Sequence, residues 1–178
     1  MFFIDLYAII KRMSQYIDRF GKARSVTSGD LIKQRVGVFG ITFNRPRKLL
    51  LTYPKFDLTW PQLPGGGVEP GETLQQALLR EYNEEVGKVK SLEAIPLMQQ
   101  TVNYYADDKR EFWQYTQYYF WVSVIAAKIP QFGKWLSPEN AKAGWVDFTP
   151  TLAMHEVHKR IVRNVLRIAP TKFQESSD

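Results

Sequence analysis

The sequence predicts an α/β or α+β domain with helices packed on a mixed β-sheet, and three observations predict it. Runs of period-two, β-branched and aromatic residues alternate with segments of helical periodicity. A loop rich in Pro and Gly, Trp60 to Glu72, leads straight into one of those helical segments. The chain has 178 residues, 44% of them hydrophobic and 24% charged, which suits one globular core.

Taken in order, Phe3, Leu6, Tyr7, Ile10, Met13, Ile17 and Phe20 recur at three- and four-residue steps and predict an N-terminal amphipathic helix over residues 2–20. Such a helix packs on its own domain or on a second copy in a homodimer. A membrane surface is the rival, because Lys11, Arg12 and Arg19 could face anionic lipid. Gly21 to Asp30 reads as a polar linker. The expected organisation is therefore a helix and linker over 1–30, a main domain over 31–170 and a tail over 171–178.

In the main domain, Val36, Val38, Ile41 and Phe43 and then Leu49, Leu50, Leu51 and Tyr53 form two short β-runs. The turn signal Asn44-Arg45-Pro46-Arg47 between them suggests a hairpin. Residues 73–86 are helical in pattern, with Thr73 placed to cap the start and Gly87 to end it. Strands are expected at 92–104, 112–127 and 144–148, and a closing amphipathic helix from Leu152 to Ile168. His155 and His158 fall on one face of that helix with no third ligand near in sequence, and read as surface residues.

Composition excludes several chemistries. The chain has no cysteine, so disulfide scaffolds, thiolate metal sites and Cys nucleophiles are ruled out, and a reducing, cytoplasmic setting fits. Met1 to Phe20 has its basic pair after the apolar run, the wrong order for a secretory signal. The longest nearly apolar stretch, Tyr118 to Ala127, is about half of a membrane span. The net charge of +6 leaves nucleic acid, an anionic surface or phosphorylated ligands as partners. Bases gather from Lys33 to Lys55, with Arg35, Arg45, Arg47 and Lys48 among them and no acid. They form either a solvated strand edge or an attractor for polyphosphate.

Acids gather where the chemistry is expected. Glu81, Glu84 and Glu85 stand at i, i+3 and i+4 of the 73–86 helix, so their carboxylates share one face. Alone they would suit a solvated acidic face. Beside Pro64-Gly65-Gly66-Gly67 they suit a hard divalent cation, which takes oxygen ligands and leaves positions for water and phosphate.

The segment Gly66 to Lys88 resembles the Nudix box, G-x5-E-x7-R-E-U-x-E-E-x-G-U, where U is a bulky apolar residue. Gly66, Glu72, Arg80, Glu81, Glu84, Glu85 and Gly87 fall on its fixed positions, while Tyr82 and Lys88 depart from the usual U residues. At about 7% frequency per residue type, such a match arises by chance on the order of once in a million chains of this length, so the motif is specific. The resemblance implies an α/β/α sandwich and hydrolysis of a nucleoside diphosphate linked to another moiety, with Mg²⁺ or Mn²⁺. It implies that Glu81, Glu84, Glu85 and the Gly65 carbonyl hold metal. Glu72 and Arg80 would tie loop to helix, and Glu84 would orient or deprotonate water. The family's general base varies, and Glu139, Asp107, Asp108 and Glu111 stand on later segments. Arg35, Arg47 and Tyr104 are candidates for binding substrate. A non-catalytic nucleotide- or RNA-binding module on the same scaffold is the alternative.

Overall fold

The computed structural model describes residues 15–44, 48–87, 89–126 and 140–168. Strands β1 (Gln15–Ile17), β2 (Ala23–Ser25), β3 (Ile32–Ile41), β6 (Gly65–Gly67), β7 (Val89–Ala106) and β8 (Glu111–Ala126) share one sheet in the order β2-β1-β7-β8-β3-β6. A smaller sheet has the order β4 (Phe43–Asn44), β5 (Lys48–Pro54), β9 (Asn140–Asp147). Helix α1 spans Leu74–Glu85 and α2 spans Glu156–Ile168. The large sheet is mixed. β3 runs parallel to β8 and β1 parallel to β7, while β7–β8, β3–β6 and β1–β2 are antiparallel.

Strand alternation makes a sandwich of these elements. A strand sends successive side chains to opposite faces, so a strand buried on both faces serves two cores. Phe39 and Ile41 of β3, Leu49 and Leu51 of β5, and Tyr115 and Tyr119 of β8 gather with Ile161, Val162 and Val165 of α2. Their neighbours Val38, Leu50, Phe120 and Val122 gather instead with Ala77, Leu78 and Tyr82 of α1. Leu49, Leu50 and Leu51 are all fully buried, each worth roughly 1.5–3 kcal/mol of transfer free energy. The expected α/β/α arrangement is therefore present, with the sheet between the two helices.

Three expectations need correction. Residues 1–14 lie outside the described residues, but residues 15–17 of the expected N-terminal helix form strand β1. Tyr16 packs edge-on against Phe112 at 5.1 Å, and Ile17 pairs with Tyr104 of β7. The Asp18 carboxylate accepts the N–H groups of Phe20 and Lys22, turning the chain into β2 within what read as a linker. The second correction concerns the hairpin. Its β4–β5 arm forms, with Phe43 opposite Leu49, but β3 leaves at Thr42 to pair with β8 in the large sheet. Third, the closing helix begins at Glu156 and not at Leu152. The Leu152 N–H turns back to Thr149 and the His155 N–H donates to the Pro61 carbonyl, so residues 152–155 are pinned outside the helix. Arg45, Arg47, Lys88 and Glu139, as well as the 171–178 tail, fall outside the described residues.

Candidate active site

The site starts from the way α1 is fixed. Thr73 caps it: its Oγ1 accepts the Gln76 N–H at 3.2 Å while Gln76 Oε1 accepts the Thr73 N–H at 2.8 Å. Tyr82, fully buried, anchors the inner face through a 2.7 Å hydrogen bond between its hydroxyl and that of Thr42. Its phenol is pushed well above the ordinary range by burial. With the helix held at both points, Glu81 and Glu85 face the glycine loop and are buried, and Glu84 stands half-exposed beside them. At its end the Gly87 N–H donates to the Tyr82 carbonyl.

The loop needs its glycines. Gly65 has φ +137°, and a Cβ there would lie 2.1 Å from the Val38 carbonyl oxygen. A Cβ on Gly66 would lie 2.6 Å from Glu81 Oε1, so only glycine lets backbone and carboxylate come this close. Pairing of β6 with β3, Gly65 opposite Phe39 and Gly67 opposite Gly37, holds the loop on the sheet. The Gly65 N–H then donates to Glu85 Oε2 at 2.7 Å.

Arg80 and Glu72 close the arrangement. Arg80 Nε and Nη2 donate to the two Glu72 oxygens at 2.8 and 3.0 Å, and Nη2 also reaches the Gly67 carbonyl at 2.8 Å. Nη1 donates to Glu81 at 2.8 Å and to Glu84 at 3.4 Å. The bonds to Glu72 above all raise the Arg80 pKa further, and the same guanidinium holds the Glu72 carboxyl below its usual range. Loop and helix are thus tied by one bidentate pair.

A cleft of about 420 Å³ takes in Gly65, Gly66, Gly67, Arg80, Glu81, Glu84 and Glu85. Arg35 lies on the same cleft, its Cζ 5.1 Å from the Trp113 ring centre and its Nη2 close to Gly67. Tyr104, Asp107 and Asp108 line it further on, whereas Glu111 is turned to Lys33 and Trp113. Among the described residues, no three acidic or histidine side chains form a ready cage for a metal ion. Arg80 and the Gly65 N–H occupy positions on Glu81 and Glu85. The donor set nonetheless suits Mg²⁺ or Mn²⁺. All its donors are oxygens, two of the three carboxylates are buried, and a side chain at Gly66 would crowd Glu81.

Sequence reasoning missed the far wall of the cleft. His155 and His158 line it, and both are buried, contrary to the surface reading. Their rings stack at 4.2 Å. His155 Nε2 meets the Tyr104 hydroxyl at 3.1 Å, and His158 Nδ1 accepts the Leu63 N–H at 3.2 Å, which leaves the His158 proton on Nε2. Burial is the main cause that pulls the His155 pKa down to about 3 and that of His158 well below its usual value. Arg19 also lines the cleft, and its Nη2 lies 3.3 Å from Asp57 and 3.1 Å from Asp107. Burial raises the Asp107 pKa. No local pattern could have placed Arg19 here, because its position depends on β1 joining β7.

The NUDIX domain family model matches residues 33–165. A curated protein of Bacillus subtilis (strain 168), named "Putative 8-oxo-dGTP diphosphatase", is 41% identical over 58 residues. That stretch is 33% of this chain and spans 38% of the relative's length. Among solved structures, a UDP-X diphosphatase superposes with a TM-score of 0.57 at 16% identity, over 94% of this chain and 72% of the other. An ADP-ribose pyrophosphatase from Streptococcus suis 89-1591 gives 0.52 at 16% identity, over 79% and 96%. At such identities these two likenesses speak for a shared fold.

Proposed function

The chain belongs to the NUDIX domain family, and from that premise we propose that it is a Nudix hydrolase, a divalent-metal-dependent pyrophosphohydrolase. Its substrate is a nucleoside diphosphate linked to another moiety, cleaved by attack of water on phosphorus. The observation that carries this reading is the meeting of Glu81, Glu84 and Glu85 with the Gly65–Gly67 loop and Arg35 on one cleft.

Each residue has a task. Glu81, Glu84, Glu85 and the Gly65 carbonyl would hold Mg²⁺ or Mn²⁺. When bound, the cation offsets negative charge on the phosphates and lowers the pKa of water. Glu84, the half-exposed member, takes the proton as the water oxygen bonds to phosphorus. The bridging P–O bond breaks, and the departing phosphate keeps its electron pair. Arg35, held against Trp113, offsets charge on the phosphates. Arg80 is a positioning residue, since its hydrogen bonds go to Glu72, Gly67, Glu81 and Glu84.

The test is a nucleotide panel with Mg²⁺, comparing wild type with Glu84→Gln. The panel includes sugar- and ribose-linked diphosphates, and 8-oxo-dGTP because of the curated relative's name. Wild type should release phosphate-bearing products only when metal is present. The variant should lose roughly 10²–10⁴-fold in kcat with an unchanged melting temperature. Tight nucleotide or RNA binding with no turnover of any substrate would replace this reading with that of a binding module.

A further inference from the structure

Arg19 stands outside the family-matched segment, yet it lines the same cleft. Its residue is 9% exposed, and its carbonyl is held by the Trp60 indole N–H and the Glu156 N–H, so the backbone that carries the guanidinium is fixed. Nη2 is committed to Asp57 and Asp107. The rings of Phe20 and Phe56 each lie 4.6 Å from Cζ. Nε and Nη1 are buried with no hydrogen-bond partner. A buried N–H without an acceptor costs free energy, and native structures rarely leave one unless a ligand or water completes it.

The charge around Arg19 narrows the choice of ligand. One guanidinium faces the two carboxylates of Asp57 and Asp107, with Asp108 next in the chain. The Arg19 charge is already matched by these acids, and the other cation at this part of the cleft, Lys109, has its Nζ 5.6 Å from the Trp113 ring centre. The unpartnered N–H groups therefore suit a neutral carbonyl oxygen. Phe56, which is exposed and also lines the cleft, offers a ring on which a flat ligand can lie.

We propose that this end of the cleft binds a lactam-type nucleobase, one with a ring carbonyl beside a ring N–H, as in guanine, hypoxanthine or uracil. Arg19 donates to the carbonyl oxygen, and the Asp107 carboxylate accepts the neighbouring N–H. Arginine facing a guanine carbonyl is among the commonest base-specific contacts. The assignment deepens the pyrophosphohydrolase reading and rests on it only for the molecule that carries the base.

Free nucleosides test the subsite without any turnover. Guanosine, inosine and adenosine are titrated by calorimetry into the full chain and into Arg19→Met, Arg19→Lys and the isosteric Asp107→Asn, with melting curves recorded for each. Wild type should bind guanosine and inosine at least tenfold tighter than adenosine. In Arg19→Met and Asp107→Asn that preference should fall to within about twofold, with adenosine affinity unchanged, and Arg19→Lys should fall between. Equal binding of all three nucleosides by wild type overturns the proposal. So does a folded Arg19→Met that keeps the preference, or one that loses affinity for all nucleosides equally. A protein that selects guanosine but hydrolyses no diphosphate would refute the proposed function and leave the subsite standing. One that hydrolyses guanine and adenine nucleotides alike would do the reverse.

Discussion

Acid should weaken this fold through His155. The imidazole is buried and its pKa is pulled from 6.5 to about 3, chiefly by burial and then by the Arg19 charge. It faces Arg19, Tyr104 and His158, none of which is an anion at neutral pH. The unfolded chain takes up a proton near pH 6.5 that the folded chain refuses until about pH 3. Stability from this group is therefore complete above the unfolded pKa and is lost as pH falls between those values. From pH 7.5 to 5.0 the loss is about 2 kcal/mol from His155 alone, and His158, displaced in the same direction, adds to it. Urea unfolding at the two pH values should show it, with His155→Gln as the comparison, because glutamine can still reach the Tyr104 hydroxyl and does not titrate. Asp107, raised by burial, titrates in the opposite sense but is common to both proteins. If the variant loses as much stability as wild type over this pH range, the buried neutral imidazole is refuted.

Two further substitutions probe how the catalytic helix is held. Gly40→Ala would bring a Cβ within 2.0 Å of the Tyr82 hydroxyl oxygen and should destabilise by about 1–3 kcal/mol, read as a lower urea midpoint. Thr73→Ala removes the cap of α1 and should cost about 1 kcal/mol in thermal unfolding, while kcat/KM for the best substrate stays within a few fold.

What could be read from the sequence was what is decided locally. Thr73, the glycines and the i, i+3, i+4 glutamates each act within one loop and one helix, and the structure keeps them together. The apolar runs in β3, β5 and β8 were legible because a strand that serves two cores is apolar on both faces. The N-terminal segment was not, since Ile17 and Phe20 carry helical spacing but find their partners on Tyr104 and Trp60, as Tyr16 between them does on Phe112, far along the chain. Tertiary pairing overrode local preference there. His155 was misread for the same reason: the helix register that put it on the surface ends one residue short of it, and the Pro61 carbonyl fixes its backbone. Arg19 was read as the polar side of a helix, yet only the pairing of β1 with β2 and β7 turns it inward.

The shape of β7 bears on how copies of this chain meet one another. It is 18 residues long with β8 along one side. On its other side, among the described residues, it has only β1, at Tyr104. Most of that flank would be a template for intermolecular zippering if it were straight. Register breaks between Val89 and Ser91 and between Pro96 and Met98 interrupt it, and Pro96 has no N–H to offer. The exposed Ile95 thus sits beside a break in the β7–β8 register, where the strand departs from the straight course that edge-to-edge pairing requires.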